Sequence, residues 1–470
     1  MARLGRVLVV LALLAFVCCA LLQKRRSDTE ELHRLQRESL TFAIRAGGPM
    51  PPSPSPAELE AIAGIVAAAS PEEAELLQET YGEEPDLLVY ATRDSDGDGI
   101  HDFRVGDFHG KFFEGDVDLD GDGVRNVLDA APYDPGSGGR DLDGDGAPDP
   151  GSFPDANGNG LPDPVDWALD GRRPAAAEQQ RLLFAEHGVL LVDRSAEFTD
   201  TLTRSVYDVM ARVLRTVPRD QLPALRVVAA EEEALLFPEV DEETNAMMIA
   251  QTQTLVVYRS GIELSAFAQL GLLLHELAHG YQSSLDFEGI DAENRRVFVP
   301  APRFLERVAR FGWTYEPLTP EDRFDPPALF TPQYLLVEPS YAWRGEPTEA
   351  WAEWMEALYA EVGDGYLEDT RVTELGIVGD YSLVDPWEWH SDSVLAYLFV
   401  EIERWLAGHP DASPADTEQM RQAAAEAWPS FRYANLDPKV RGHFRGVLPL
   451  RDSDLAYFAK AYVEPLSAGE

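Results

Sequence analysis

Cysteine is nearly absent from this chain of 470 residues. The two that occur, Cys18 and Cys19, are adjacent and lie in an apolar run near the N-terminus. Because the rest of the chain has none, no disulfide framework can stabilise the folded part, whatever its compartment. Stability must therefore come from bound metal ions or from the size of the core.

Long apolar runs are also scarce, and only residues 7–22 form one. This scarcity excludes a multi-span membrane protein. As a helix the run would span about 24 Å, which is short of the ~30 Å hydrocarbon core. With its flanking basic residues it predicts a signal peptide or membrane anchor over residues 1–26. Small residues up to Ala20 favour cleavage and the basic cluster at 24–26 favours an anchor. Either outcome predicts a secreted, periplasmic or cell-surface protein, the anchored form being attached to the membrane through residues 7–22.

Basic residues are few, with 39 Lys and Arg against 83 Asp and Glu, which gives a net charge of −44. A field of this sign repels phosphate backbones, so nucleic acid is not an expected partner. Such an excess of carboxylates instead suggests bound cations. The apolar content of 45% and the aromatic content of 10% are enough for a core, which excludes a wholly disordered chain.

Residues 27–90 are predicted to form a small helical stalk with a Pro-rich linker at 47–56. Two capping boxes, Ser55–Glu58 and Ser70–Glu73, each predict the start of a short helix. No residue in this segment indicates chemistry, although the segment could hold an inhibitory pro-sequence.

Residues 91–170 change sharply in composition, because they contain nineteen Asp and one Glu. A motif with oxygen-bearing side chains at positions 1, 3, 5 and 9 and glycine at position 6 starts at Asp94, Asp118, Asp141 and Asp155. Alternate residues of a tight loop can direct hard oxygen ligands at one Ca²⁺ ion. The predicted calcium ligands are Asp94, Asp96, Asp98, Asp102, Asp118, Asp120, Asp122, Asn126, Asp129, Asp141, Asp143, Asp145, Asp149, Asp155, Asn157, Asn159, Asp163 and Asp166.

This segment resembles thrombospondin type 3 repeats, and its second loop is also similar to a dockerin or EF-hand loop. The resemblance implies several structural calcium ions. Without them the clustered carboxylates should repel one another, so the segment is expected to act as a spacer that calcium makes rigid.

Residues 175–470 are predicted to form an α+β domain, a small sheet with helices packed on it. The apolar patterns predict strands at 188–192, 225–229 and 254–258, and helices at 199–213, 262–285, 349–362 and 391–406.

The long helix at 262–285 carries the sequence His275-Glu276-Leu277-Ala278-His279. Two imidazoles at positions i and i+4 share one helix face, so both can bind one zinc ion. Glu276 is displaced from that metal but can hold a zinc-bound water and act as general base. The surrounding leucines predict that this segment is buried, where unpaired His and Glu side chains would be costly.

A third ligand is needed, and the sequence Glu349-Ala350-Trp351-Ala352-Glu353 is the next suitable segment downstream. Here the chain resembles the gluzincin metallopeptidases, the thermolysin-like group in which HExxH is followed by a helix with ExxxD or ExxAE, as in the catalytic domain of anthrax lethal factor. The resemblance implies a zincin-like fold, with Glu349 as third zinc ligand and Glu353 as the carboxylate that orients a ligating histidine.

Two further features of the gluzincin resemblance can be assigned to residues of this chain. An edge strand that binds the substrate backbone is expected before the HExxH helix, and residues 252–258 lie in that place. A donor to the oxyanion is expected from His390, with Tyr381 and Tyr341 as alternatives.

The sequence therefore predicts an exported zinc metallopeptidase that acts on peptide or protein substrates through His275, His279, Glu349, Glu276 and His390. The alternative is a non-catalytic, calcium-dependent adhesion or scaffold protein with a retired zincin domain.

Overall fold

The computed structural model describes most of the chain after residue 52. The described residues are 53–71, 74, 77, 85–98, 101–105, 112–114, 116, 118–169 apart from 127, 145 and 146, then 171, 174–193, 199–218, 225–229, 245–249, 254–290, 296–300, 305–309 apart from 307, 312–317, 343–383, 386–410 and 412–463. The predicted signal or anchor segment (1–26), much of the predicted stalk, and Tyr341 lie outside these ranges. Within them, no helix has both the length and the apolar content needed to cross a bilayer.

The described residues divide into two compact units, one within residues 53–116 and the other within residues 118–317 and 343–463. The described part of the first unit contains helices α1 (Pro56–Ala68) and α2 (Pro85–Thr92) and a hairpin of β1 (Phe103–Val105) and β2 (Phe112–Glu114). Of the two predicted capping boxes, the first is confirmed, since Ser55 and Glu58 exchange both hydrogen bonds at the start of α1. Glu73 of the second lies outside the described residues.

The second unit contains the sheet and the remaining helices. Its elements in chain order are α3 (Pro174–His187), β3 (Val189–Asp193), α4 (Asp200–Asp208), β4 (Leu225–Ala229), β5 (Ala246–Ile249), β6 (Thr254–Val257), α5 (Arg259–Ile262), α6 (Ala266–Asp286), β7 (Phe287–Ile290), β8 (Arg296–Pro300), β9 (Trp313–Pro317), β10 (Trp343–Pro347), α7 (Glu349–Val362), α8 (Thr370–Glu374), α9 (Pro386–Gly408), α10 (Pro414–Ala427), α11 (Pro438–Val447) and α12 (Asp452–Phe458).

Among the described residues, the main sheet has four strands in the order β3-β4-β6-β5. Strands β3, β4 and β6 are parallel, and β5 joins β6 antiparallel at the edge. This mixture of helices with a small mixed sheet confirms the predicted α+β class. The expectation of an edge strand at 252–258 is wrong, because β6 lies between β4 and β5. The antiparallel edge position before the HExxH helix belongs to β5.

The two faces of the sheet are covered by different parts of the chain. Val189 and Leu191 of β3 point into the main core, which the helices α4, α6 and α9 share. On the other face Leu190 and Val192 pack against Val165, with Ala130 and Phe184 beside them. Residues of the acidic segment therefore form part of the core on this face. The sequence predicts a separate spacer over 91–170, whereas the described residues of this segment from 118 onward belong to the same compact unit as the main sheet.

Helices α6 and α9 pack against each other in the main core and together carry the candidate site. Leu273, Leu274 and Leu277 of α6 are fully buried, as their pattern predicted. Phe267 of α6 stacks on Phe399 of α9 with ring centroids 5.1 Å apart. Helix α9 begins at Pro386, five residues before the predicted start at 391, and proline is favoured at the first position of a helix.

Candidate metal centre

The two histidines of the HExxH helix converge with a carboxylate from α9. The Nε2 atoms of His275 and His279 lie 3.2 Å apart. Oε2 of Glu388 lies 3.0 Å from the first and 3.3 Å from the second. These three residues form a group that could hold a metal ion.

A second carboxylate of α9 orients His275. Nδ1 of His275 lies 3.0 Å from Oδ1 of Asp392, and the hydroxyl of Ser382 donates to Oδ2 of Asp392 at 2.6 Å. Glu388 and Asp392 are four residues apart and therefore share one helix face. In the tautomer whose Nδ1–H donates a hydrogen bond to Asp392, the lone pair of Nε2 is directed at the centre of the group, as a metal ligand requires.

Opposite charges in this group shift the pKa values of its members. Burial lowers the pKa of His275, but the hydrogen bonds to Asp392 and Glu388 outweigh burial and hold that pKa well above its usual value. Burial raises the pKa of Glu388, but the two histidines outweigh it and bring the pKa down to about 2. The two histidines thus hold the Glu388 carboxylate in its charged form.

The spacing of the three ligand atoms fits zinc. Ligands bound tetrahedrally at ~2.0–2.1 Å from one ion lie about 3.3–3.4 Å from one another. The observed separations of 3.0, 3.3 and 3.2 Å are close to this value. Two imidazole nitrogens and one carboxylate oxygen are also a ligand set of catalytic zinc sites, which leave a fourth position for water.

Glu276 lies beside this group and is buried, with 8% of the residue exposed. Burial raises the pKa of Glu276, and the positive charge of His275 and His279 opposes this, as does a hydrogen bond from the backbone N–H of Met248 in β5. Glu276 and His275 line a cavity of about 490 Å³, so the carboxylate faces space that a substrate could enter.

The structure does not bring the predicted third ligand to the histidine pair. Glu349 and Glu353 lie on the exposed side of α7, and neither belongs to the group that His275 and His279 form. At the start of α7, Glu349 sits in the first turn after the N-cap Thr348, where a carboxylate is favoured by the helix dipole alone. Glu388 and Asp392 occupy the positions predicted for Glu349 and Glu353.

The predicted oxyanion donor is also placed elsewhere. His390 is buried, and its ring contacts those of Tyr281 and Phe444, with centroids 6.4 and 5.9 Å away. Two helical residues turn by about 200°, so His390 points away from the face that carries Glu388. It does not line the cavity. Tyr381 lies in a short 3₁₀ turn, Tyr381–Leu383, that directly follows the cavity residues Gly379 and Asp380.

Sequence reasoning missed Glu388 although a signal was present. The sequence Glu388-Trp389-His390-Ser391-Asp392 has the same ExxxD spacing that the resemblance involves. Because the predicted helix starts at 391, Glu388 lies outside it, and the ExxxD spacing does not fall within one predicted helix. Pro386 at the first helical position was the feature that could have moved the boundary.

The four acidic loops share one internal architecture. In each, the backbone N–H of the second residue donates to the side chain of the ninth, at 2.8, 3.0, 2.5 and 2.8 Å, and the acceptors are Asp102, Asn126, Asp149 and Asp163. The fourth position has a positive φ of 70–83° in all four, which explains the glycine there. The in-phase repeat predicted from the sequence is therefore also a structural repeat.

Three loops bring carboxylates together as a cation site would require. The groups are Asp94, Asp96 and Asp98; Asp118, Asp120 and Asp122; and Asp141, Asp143 and Asp149. In the second loop, burial and the neighbouring carboxylates raise the pKa of Asp120 to about 7 and that of Asp129 to about 8. In the fourth loop the amides of Asn157 and Asn159 donate to Asp166 at 2.6 and 3.0 Å.

Of the predicted calcium ligands, Asp145 lies outside the described residues.

No family model, curated protein or solved structure matches this chain.

Proposed function

We propose that this protein is a zinc-dependent metallopeptidase with a gluzincin-like site, in which His275, His279 and Glu388 hold the zinc ion. The observation that supports this most strongly is the convergence of three donor atoms at 3.0–3.3 Å from one another. The ExxxD spacing of Glu388 and Asp392 also keeps the resemblance to the gluzincins. The expected location remains outside the cytoplasm, and the expected cofactors remain one zinc ion and several calcium ions in the acidic loops.

Bound zinc would supply a Lewis acid and a water whose pKa falls towards ~7. Glu276 accepts a proton from the attacking water and can deliver it to the leaving amine, since it lines the cavity beside His275. Asp392 and Ser382 keep His275 in the tautomer that presents Nε2 to the metal. Trp428 and Phe431 line the same cavity and give it apolar surface beside the site.

Zinc content of matched variants tests the ligand assignment. Glu388→Ala should strongly reduce zinc bound per chain, whereas Glu349→Ala should leave it unchanged, because Glu349 is exposed at the start of α7. The opposite result would restore the assignment that the sequence favoured. Equal, full occupancy in both variants would mean that neither glutamate is a ligand.

Activity of the zinc-loaded full chain tests the reaction. A broad peptide library should be cleaved by the wild-type protein, and Glu276→Gln should keep zinc but lose roughly 10²–10⁴-fold in rate with the general base removed. Absence of cleavage by the zinc-loaded wild-type chain would favour the adhesion or scaffold protein with a retired zincin domain, for which the repeated acidic loops are the supporting feature.

A further inference from the structure

The cavity beside the candidate zinc site combines an apolar wall with acidic groups. Leu272 of α6, Leu395 of α9, and Trp428 and Phe431 from the segment after α10 supply its wall. Its volume of about 490 Å³ lies within the roughly 300–1,000 Å³ range of ligand pockets. His275 and Glu276 line the same cavity, so a substrate side chain that enters it lies close to the peptide bond that the proposed site would cleave.

The charges that line this cavity are all negative apart from His275. Glu276, Asp380 and Asp392 contribute carboxylates, and no lysine or arginine is among the described lining residues. Asp392 is hydrogen-bonded to His275 and Ser382, and Glu276 lies beside the candidate zinc ligands, so both carboxylates already have a role in the proposed reaction. Asp380 differs from them because it is exposed. It therefore places a negative charge where the cavity meets solvent.

Long cationic side chains match this arrangement. Lysine and arginine bury an aliphatic stem along apolar surface and keep the charged group near water. Trp428 and Phe431 offer aromatic surface of the kind that attracts such a cation, and Asp380 offers a carboxylate partner for it. An acidic side chain would instead meet three carboxylates in a confined space.

We propose that this cavity is a specificity pocket for a lysine or arginine side chain next to the cleaved bond of a peptide substrate, with Asp380 as the residue that selects the positive charge. This inference rests on the proposed peptidase function. Asp380 acts as a specificity residue and takes no part in the chemistry. The pocket also borders β5, since Asn245 and Ala246 line it, so a peptide extended along this edge strand can direct a side chain inward.

The test compares peptides that differ at one residue flanking the cleaved bond, with arginine, lysine, norleucine or glutamate at that place. Norleucine keeps the four-carbon stem without the charge. The zinc- and calcium-loaded full chain should cleave the arginine and lysine peptides best and the glutamate peptide least. Asp380→Asn should reduce the ratio of kcat/KM for arginine over norleucine by about two- to fivefold, the range for a solvent-exposed ion pair.

Two further variants sharpen this comparison. Asp380→Lys should shift the preference towards the glutamate peptide. Glu374→Gln, a matched change of one charge at an exposed position on α8, should leave the ratio as it is. Zinc content measured for each variant shows that the metal site is intact. The same peptides, labelled, are also tested for binding to zinc-loaded Glu276→Gln, which reports on the pocket without hydrolysis.

The outcomes separate the two proposals. Cleavage without a preference for cationic residues, or with a preference that Asp380→Asn does not change, would overturn the pocket assignment and leave the peptidase function in place. Binding of the cationic peptides without cleavage would support the pocket and count against the reaction. If the chain neither binds nor cleaves any of the peptides, the peptidase function and the pocket assignment are both refuted.

Discussion

Gly271 lies one helical turn before His275, and we expect its replacement by alanine to destabilise the second unit. A Cβ atom at this position would lie 2.2 Å from Cη2 and 2.5 Å from Cζ2 of Trp428. Carbon atoms make favourable contact only at about 3.5–4.0 Å, so the indole ring must move. The ring packs at centroid distances of 5.6–6.4 Å from the three aromatic rings of Phe267, Phe399 and Phe431. It therefore cannot move without disturbing its neighbours.

Two opposing effects set the magnitude. Alanine in place of glycine inside a helix stabilises it by roughly 1 kcal/mol. Inserting a methyl group into a packed region costs about 1–3 kcal/mol, and each disturbed aromatic pair adds about 0.5–1.5 kcal/mol. With one aromatic pair disturbed, packing outweighs propensity, and the free energy of unfolding should fall by about 0.5–3.5 kcal/mol in Gly271→Ala.

Gly442 provides the matched control, because it lies inside α11 and a Cβ there would meet no atom within 4 Å. Gly442→Ala should raise the free energy of unfolding by about 0.5–1 kcal/mol. Denaturant unfolding of both variants, followed by tryptophan fluorescence and circular dichroism, measures the difference. Because Trp428 lines the cavity, Gly271→Ala should also weaken peptide binding.

A double variant isolates the cause. Once Trp428→Ala has removed the ring, adding Gly271→Ala should become neutral or stabilising. If Gly271→Ala stabilises the wild-type protein as much as Gly442→Ala does, the contact between Gly271 and Trp428 is not as the structure has it, and the assignment of this wall of the cavity fails with it.

The remaining predictions concern the two kinds of metal site. Asp392→Asn should lower zinc affinity by about 10–100-fold with the fold retained, because it weakens the acceptor that orients His275; unchanged affinity in a zinc titration would contradict this. Removing calcium with a chelator that leaves zinc bound should lower the Tm of the second unit, because Val165 and Ala130 of the acidic segment cover Leu190 and Val192 of β3. An unchanged Tm would support the prediction of a spacer that is independent of the main sheet. Leu128→Ala should lower the free energy of unfolding by about 2–5 kcal/mol, because Leu128 of the second acidic loop is buried, with 2% of the residue exposed. A loss no larger than that of a surface substitution would mean that this loop is not part of the core.

The features that the sequence alone determined are those encoded within one short segment. The HExxH histidines face the same way because they are four residues apart in one helix, and this holds whatever the helix packs against. Likewise each acidic loop closes through a bond between its own second and ninth residues, as between Ser95 and Asp102. The strand predicted at 225–229 has the predicted bounds, and the strand predicted at 254–258 is one residue shorter, for the same reason: a short apolar run between polar segments is a local pattern.

Tertiary structure decided the features that depend on contacts between distant segments. Among the carboxylate pairs at i, i+4 spacing that follow the histidines, the pair at 349 and 353 and the pair at 388 and 392 both lie in α-helices. Only the packing of α9 on α6 selects the second pair, by bringing Asp392 to His275 across 117 positions of sequence. Strand order is equally non-local, so an interior strand such as β6 and an edge strand such as β5 have similar local patterns. The packing of the acidic loops against the main sheet is also non-local. Their few apolar residues indicate that these side chains are buried, but the residues that they pack against lie in other parts of the chain.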